Sequence, residues 1–440
     1  MGRHDLAAQR AFDARERVYA LPDAVRVVHL AGPDSLRLLS ALTTLPPSAG
    51  LPPGGAEALA LDANGHIMFG FAVWEEPDGE TTRLTLVTDG SADALADLIN
   101  SRRFRLRAEA ASRPDLKTLV TPAAAPGVND RSFADPWPGP AGAPERGSGN
   151  GPGRSPGSGP DQSSNVGRAW PRYAVDSPHP GGRWKGLAVY VYDPSQASPL
   201  PIRLEDLGYR RIDAGNLEPL RIAAWRPLAS REAADGKTLP HELDWLRSAV
   251  PLNSGCYPGQ ETVAKIINVG KPPRRLVFLH LDGSDAAWPD RGAAVYAFAQ
   301  DGPGAGPAAP AGAQPVGRPQ PARAANANPE APPALAVWPQ SDPSGNGAAD
   351  HSRPAGEPPP SPQLVGRVTS VGVHHELGPI ALALVKRSLP ENARLAVAAP
   401  GAPGGLVAAG QTPVVPRSGE SDARPARRAA PAKLSLRRRG

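Results

Sequence analysis

SGCYPGQETVAKIINVG, Ser254 to Gly270, holds the only cysteine of the chain, Cys256, between two glycines. Gly255 and Gly259 permit backbone angles that side chains forbid, and Pro258 fixes φ where an apolar-periodic run is set to begin a helix. Gly270 and Pro272 supply the stop. A cysteine just ahead of such a helix faces unpaired N–H groups and the positive end of the macrodipole, which favour thiolate over thiol. The spacing therefore predicts a reactive cysteine. The alternative for any single cysteine is a small buried residue in a tight turn.

Upstream of this stretch, Ala24 to Leu30 reads as a strand, and Gly32-Pro33-Asp34 opens a helix over Ser35 to Leu42 with Asp34 or Ser35 as N-cap. Ala56 to Leu61, the turn Asp62-Ala63-Asn64-Gly65, and His66 to Trp74 predict a hairpin. Asp78-Gly79 then turns into Thr81 to Thr88. Ser91 to Ser101 is helical by period and cap, and Phe104 to Glu109 reads as a strand. The pattern is α+β, an antiparallel sheet with helices on one face. Gly186 to Tyr192 resumes it, and Ala214 to Trp225 predicts a helix leading towards His241-Glu242 and the cysteine motif. Beyond about Arg275 the texture changes to short strands with turn residues between them: Leu276–Leu281, Ala294–Ala299, Leu364–Val373, Ile380–Val385 and Leu395–Val397. Such a run suits a small closed barrel.

The 440 residues allow two or three domains, yet 55 prolines and 47 glycines are far above ordinary usage. The surplus concentrates at residues 123–166, at 302–362 and in the tail 401–440, where few large apolar residues offset the entropy of ordering; these read as disordered. Seven basic residues and no acidic one follow Ser421 and Asp422, and removing those seven from the net charge of +5 leaves about −2. The basicity is thus a terminal feature, a solvated tail whose contact with RNA or anionic lipid would be incidental, and the ordered part does not point to nucleic acid. One cysteine excludes an intramolecular disulfide and an all-cysteine metal site within one chain. The N-terminal stretch lacks the apolar core of a signal peptide, and no run of about 18 apolar residues occurs. A cytoplasmic protein without membrane attachment is expected.

Gly255-Cys256-Tyr257-Pro258-Gly259-Gln260-Glu261 resembles the signature K-G-C-[aromatic]-x-G-Q-E of the YgfZ family of folate-binding proteins, relatives of the glycine-cleavage T-protein. Ser254 stands where that family carries lysine, so the nearest cation is missing, and Lys265 is spaced to pair with Glu261 instead. RVVHLAGPDSLRLLSALTT, EALALDANGHI, LRIAAWRP, PHELDWLRSAV, PPRRLVFLHLDG and VGRVTSVGVHHELGPIALALVKR extend the resemblance over nearly all of the chain outside the insertions. The resemblance implies a split folate-binding α/β domain of the aminomethyltransferase type, residues 1–122 and 167–273, with a C-terminal barrel at 274–400. It implies tetrahydrofolate or a derivative as ligand, iron–sulfur client or assembly proteins as partners, Cys256 as the reactive group and Arg221 as a folate-lining residue. Ala223 replaces the T-protein's glutamate near that arginine, and Trp225 stands where glycine is usual.

Phe69 and Gly70 occupy the positions of the T-protein's Asp-Asp pair, so no carboxylate is there to orient the amine, which excludes glycine-cleavage chemistry. His374, His375 and Glu376 form a cluster, but adjacent residues of a continuing strand point to opposite faces, and no metal site is expected there or at His241-Glu242. The sequence thus predicts a folate-binding accessory protein for iron–sulfur cluster assembly or repair. The alternative is a folate-dependent one-carbon transferase acting on a tRNA base or a thiol, with Cys256 as nucleophile.

Overall fold

The computed structural model describes residues 5–47, 50–78, 81–139, 173, 179–251, 255–268, 270–298 and 362–420. Along the chain run α1 (Leu6–Asp13), β1 (Val18–Ala20), β2 (Arg26–Ala31), α2 (Ser35–Leu42), β3 (Ala56–Leu61), β4 (Ile67–Asp78), β5 (Thr81–Thr88) and α3 (Ala92–Ser101). There follow β6 (Glu109–Ser112), β7 (Lys117–Thr121), β8 (Ser132–Ala134), β9 (Ala188–Tyr192), α4 (Leu200–Asp206), β10 (Arg210–Ile212), α5 (Leu217–Ala223), α6 (Ala229–Glu232), α7 (Leu246–Ala249) and α8 (Gln260–Asn268). The last elements are β11 (Arg274–Leu281), β12 (Ala294–Ala297), β13 (Gln363–His374), β14 (Gly378–Lys386), β15 (Leu395–Ala398) and β16 (Leu406–Pro413).

Three sheets result. The first is β3-β4-β5-β2-β6, the second β10-β1-β7-β9-β8, and the third a closed six-stranded barrel in the order β11-β14-β13-β12-β15-β16. In the first sheet, β2 alternates against β5 and buries Val28 and Leu30 under α2 and α3, whose Leu38, Leu39, Leu95 and Ile99 meet them. Each such fully buried aliphatic side chain contributes about 1.5–3 kcal/mol against exposure. Val27 and Val87, on the opposite face, pack with Trp74 of β4 and Phe133 of β8 and so join the first sheet to the second. A larger central core gathers Trp137, Trp225 and Trp245 with Leu276, Phe278, Ile380 and Leu382 of the barrel wall. The fold class is therefore α+β with a C-terminal barrel, and no helix among the described residues is long and apolar enough to cross a membrane.

Several boundaries differ from the sequence expectation. Phe104–Glu109 is not a strand: Phe104 adopts φ 46° and is exposed, and the strand begins only at Glu109, beside β2. The proline-rich stretch from 123 is ordered as far as 139, because Phe133 and Trp137 insert into two cores. The rest of that insertion, residues 140–166, lies outside the described residues, as do 299–361 and 421–440. The barrel does not end at 400. It closes through β16, which pairs with both β11 and β15, so the tail assigned to 401–440 contains the closing strand.

Candidate functional site

The cysteine motif docks on the first hairpin. Gly259 has φ 78°, and a Cβ there would lie 2.5 Å from the Asp62 carbonyl oxygen and 2.6 Å from Gly65 Cα. Glycine is thus required both by backbone angle and by closeness. The opposing turn is fixed by Asp62, whose carboxylate accepts from the N–H groups of Asn64 and His66, each at 2.8 Å, and from the His66 ring at 2.9 Å. Burial pushes Asp62 up, but these donors outweigh it and hold the carboxyl below its usual value.

Helix α8 starts at Gln260, beyond a turn at Pro258 and Gly259, rather than at Pro258. Gln260 reaches back so that its Oε1 accepts the Tyr257 N–H at 3.2 Å, a capping-box contact. Cys256 consequently sits ahead of the capped turn, exposed, with a free thiol. Gly255 lies on Pro47, with 3.1 Å between a built Cβ and Pro47 Cγ. Leu36, Arg37, Ser40, Ala41 and Pro47 line a cavity of about 550 Å³ that opens at Gly255 and Cys256. Arg37 of α2 is the cation that lines the same cavity as the thiol. It is 219 positions away in sequence from the motif cysteine, so no local pattern signals it. Ser254 lies outside the described residues, and Glu261 and Lys265 are both exposed without forming an ion pair. The other motif side chains, Tyr257, Gln260 and Glu261, line a separate cavity of about 410 Å³ with Val250, Val263 and Ile267. Burial pushes the Tyr257 phenol up to about 12.

Arg221 is buried, and every N–H of its guanidinium has an acceptor within the chain. Nε and Nη2 form a fork on Glu218, Nη1 meets Glu232 at 3.2 Å and the Arg226 carbonyl, and Nη2 also meets Ser370 Oγ of β13. Burial pulls this arginine down, and the two carboxylates outweigh it and hold it above its ordinary value. A register shift in β13 between Val368 and Ser370 brings neighbouring hydroxyls to one side, so Thr369 and Ser370 both donate to Glu232 Oε1, at 3.0 and 2.6 Å. Arg221 therefore clasps the α/β part to the barrel.

Next to this clasp lies a cage of aromatic and charged groups. Arg226 pairs with Glu57 at 2.6 Å and Asp135 at 3.0 Å, and stacks over Trp137 and Trp245. Trp245 Nε1 donates to Glu57 at 2.8 Å. Burial and the nearby Asp135 raise Glu57 from its ordinary value against the pull of Arg226. The Ser248 hydroxyl faces Glu57 without closing a bond of standard geometry, which leaves Glu57 Oε2 and Arg226 Nη1 open. Trp225, at the position where glycine is usual, has φ 57°, a conformation costing about 1–2 kcal/mol for a side-chain-bearing residue. Its ring is held by His179 and Phe278 at centroid distances of 5.3 and 6.3 Å. At Gly70 a Cβ would lie 2.7 Å from the Trp245 ring tip. No carboxylate fits there.

The histidine cluster corrects one expectation. Strand β13 ends at His374, so the rings of His374 and His375 stack at 4.4 Å instead of diverging, and Asp13 joins them within 4.8 Å. The cluster is nonetheless engaged: His374 Nδ1 accepts from the Glu376 and Leu377 N–H groups, and Asp13 holds Arg183. His241 is a packing residue, buried with Nε2 at 3.1 Å from the Val263 carbonyl of α8, and Glu242 holds Arg274.

No family model and no curated protein matches the sequence. A solved structure matches the architecture: glycine cleavage system aminomethyltransferase T from Bartonella henselae, at TM-score 0.51 and 15% identity, over 94% of this chain and 89% of that chain. The fold is of the aminomethyltransferase T type. Within it, Trp245 closes over Gly70 of β4.

Proposed function

We infer that this protein is a folate-binding accessory factor of the YgfZ kind, which supports assembly or repair of iron–sulfur clusters in client proteins through Cys256. The observation that carries this reading is the exposed thiol in a cavity whose lining also includes Arg37, on an aminomethyltransferase-type fold. A thiolate is a soft ligand for iron, and a neighbouring guanidinium offsets the negative charge of a thiolate-bound cluster. One cysteine supplies one ligand, so contact with a cluster is shared with the client and transient. A reducing cytoplasm suits both the lone cysteine and this role.

The cage suits a reduced pterin. Such a ring presents flat faces and a hydrogen-bonding edge; in this reading it displaces part of the packing around Trp137, Trp225 and Trp245, now covered by Arg226, His179 and Phe278, and pairs with the buried, unpartnered Glu57 Oε2 and Arg226 Nη1. When bound, a tetrahydrofolate supplies a carrier for one-carbon units. In this reading Arg221 acts through its clasp, holding Arg226 through the backbone carbonyl.

A second reading is a folate-dependent one-carbon transferase with Cys256 as nucleophile, favoured by the thiol's exposure beside a cation. The two separate in one experiment. In a strain lacking the gene, the wild type restores the activity of iron–sulfur enzymes and Cys256→Ala does not, while purified protein leaves methylene-tetrahydrofolate unconsumed in the presence of thiol or tRNA acceptors. Full rescue by Cys256→Ala overturns the accessory role, and steady consumption establishes the transferase.

A further inference from the structure

On the barrel's outer wall, away from the cysteine motif, a cleft of about 530 Å³ opens between α6 and strands β13 and β14. Its volume is that of a small-molecule site. Five cations line it, and only Arg274 has carboxylate partners, Asp235 and Glu242. Glu232, the other acid of the lining, is closed off by Arg221, Thr369 and Ser370. Arg231, Arg291, Arg367 and Lys386 have no carboxylate within ion-pair distance among the described residues.

Three of these four are held in place by backbone carbonyls. Arg291 Nη2 donates to Ser230 O at 3.3 Å, Arg367 Nη1 to Gly292 O at 3.1 Å, and Lys386 Nζ to Leu364 O at 3.0 Å. A carbonyl orients a cation but does not cancel its charge, so the cleft holds four positive groups, three of them oriented, that form no ion pair among the described residues. Apart from Thr369 the rest of the lining is apolar: Leu364 is 47% exposed, and Val365, Val368 and Leu384 are buried. Cations grouped over an apolar floor attract a ligand that carries several anionic groups on a compact body. Guanidinium forks suit phosphate and carboxylate alike.

We propose that this cleft is a binding site for a small organic polyanion, with two or more phosphate or carboxylate groups seated on Arg231, Arg291, Arg367 and Lys386. The site is independent of the folate cage and of Cys256. Titration calorimetry of the full chain at low salt, with inorganic tripolyphosphate and with citrate as probes, separates the two anion chemistries. Saturable one-site binding of at least one probe is expected. It should weaken at least tenfold in Arg231→Gln/Arg367→Gln and stay unchanged in Arg37→Gln, which lies outside the cleft. Neither cleft residue has an ion pair among the described residues, so the double variant should keep the wild-type melting temperature, which is measured alongside. Absence of saturable binding by either probe, equal binding by the double variant, or equal loss in Arg37→Gln overturns the proposal.

Discussion

At Cys256 the decisive neighbour is Arg37, which lines the same cavity from α2. A fixed cation draws anionic reagents towards the sulfur and is indifferent to neutral ones. Modification by an anionic disulfide reagent should therefore slow several-fold in Arg37→Ala, while alkylation by neutral iodoacetamide stays within a factor of two or so. Equal effects on both reagents would show that Arg37 does not steer ligands to the thiol. A second residue, Gly70, tests how tightly Trp245 closes over β4. Gly70→Ala should destabilise by about 1–3 kcal/mol through overpacking on Trp245. Gly70→Asp should cost more, because the carboxylate would be buried without a built partner. Denaturant unfolding of both variants checks the order, and a stable Gly70→Asp protein would show that the pocket yields.

Single residues were unevenly legible. The glycines of the motif announced a tight turn, and Gly259 meets that expectation with a positive φ and a backbone in contact. Trp225 stood out as a side chain at a position where glycine is usual, and its φ of 57° gives the reason. Arg221 read as a ligand arginine, since a buried clasp and a ligand site place the same residue type on the same helix turn; only its five acceptors separate the two. Arg37 carried no signal, because its relation to Cys256 is made by folding alone.

At the scale of elements, long periodic runs were placed well and weakly patterned ones were not. The β3-β4 hairpin and α2 stand where alternation and cap residues put them. β16 was missed because Leu406 to Pro413 carries Ala408, Ala409, Gly410 and Pro413, with little β-branched character. β8 was hidden by proline and glycine composition, which averages away single anchors such as Phe133 and Trp137. The β13 bulge is invisible to a period-2 pattern, yet it aims Thr369 and Ser370 at Glu232 together. Glu232→Gln should accordingly cost about 3–5 kcal/mol, the range for breaking a buried pair from one side. Thermal or urea unfolding measures it, and a cost below about 1 kcal/mol would mean that the clasp is not a structural joint.

At the scale of the whole molecule, buried histidines set the response to acid. Burial lowers His241 to about 4 and His179 to about 2, below the unfolded value of about 6.5. The unfolded chain therefore binds protons first, so their stabilising effect is complete above about pH 6.5 and is lost as pH falls towards the folded values. For His241 the loss is on the order of 3 kcal/mol by pH 4. Urea midpoints at pH 7.5, 6 and 5 should fall steadily, and His241→Gln, which keeps a donor for the Val263 carbonyl, should flatten the slope. A wild-type midpoint constant over that range would contradict the buried neutral histidines.

The central claim is that this aminomethyltransferase-type fold binds folate in its tryptophan cage while Cys256 serves a separate partner. Titration calorimetry of tetrahydrofolate into wild type, Cys256→Ala and Glu57→Gln tests it most directly, with circular dichroism confirming that each variant is folded. The account predicts saturable one-site binding, with wild type and Cys256→Ala alike and folded Glu57→Gln at least tenfold weaker, a loss of about 1.4 kcal/mol or more. No saturable binding by the wild type, or undiminished binding by Glu57→Gln, would contradict it.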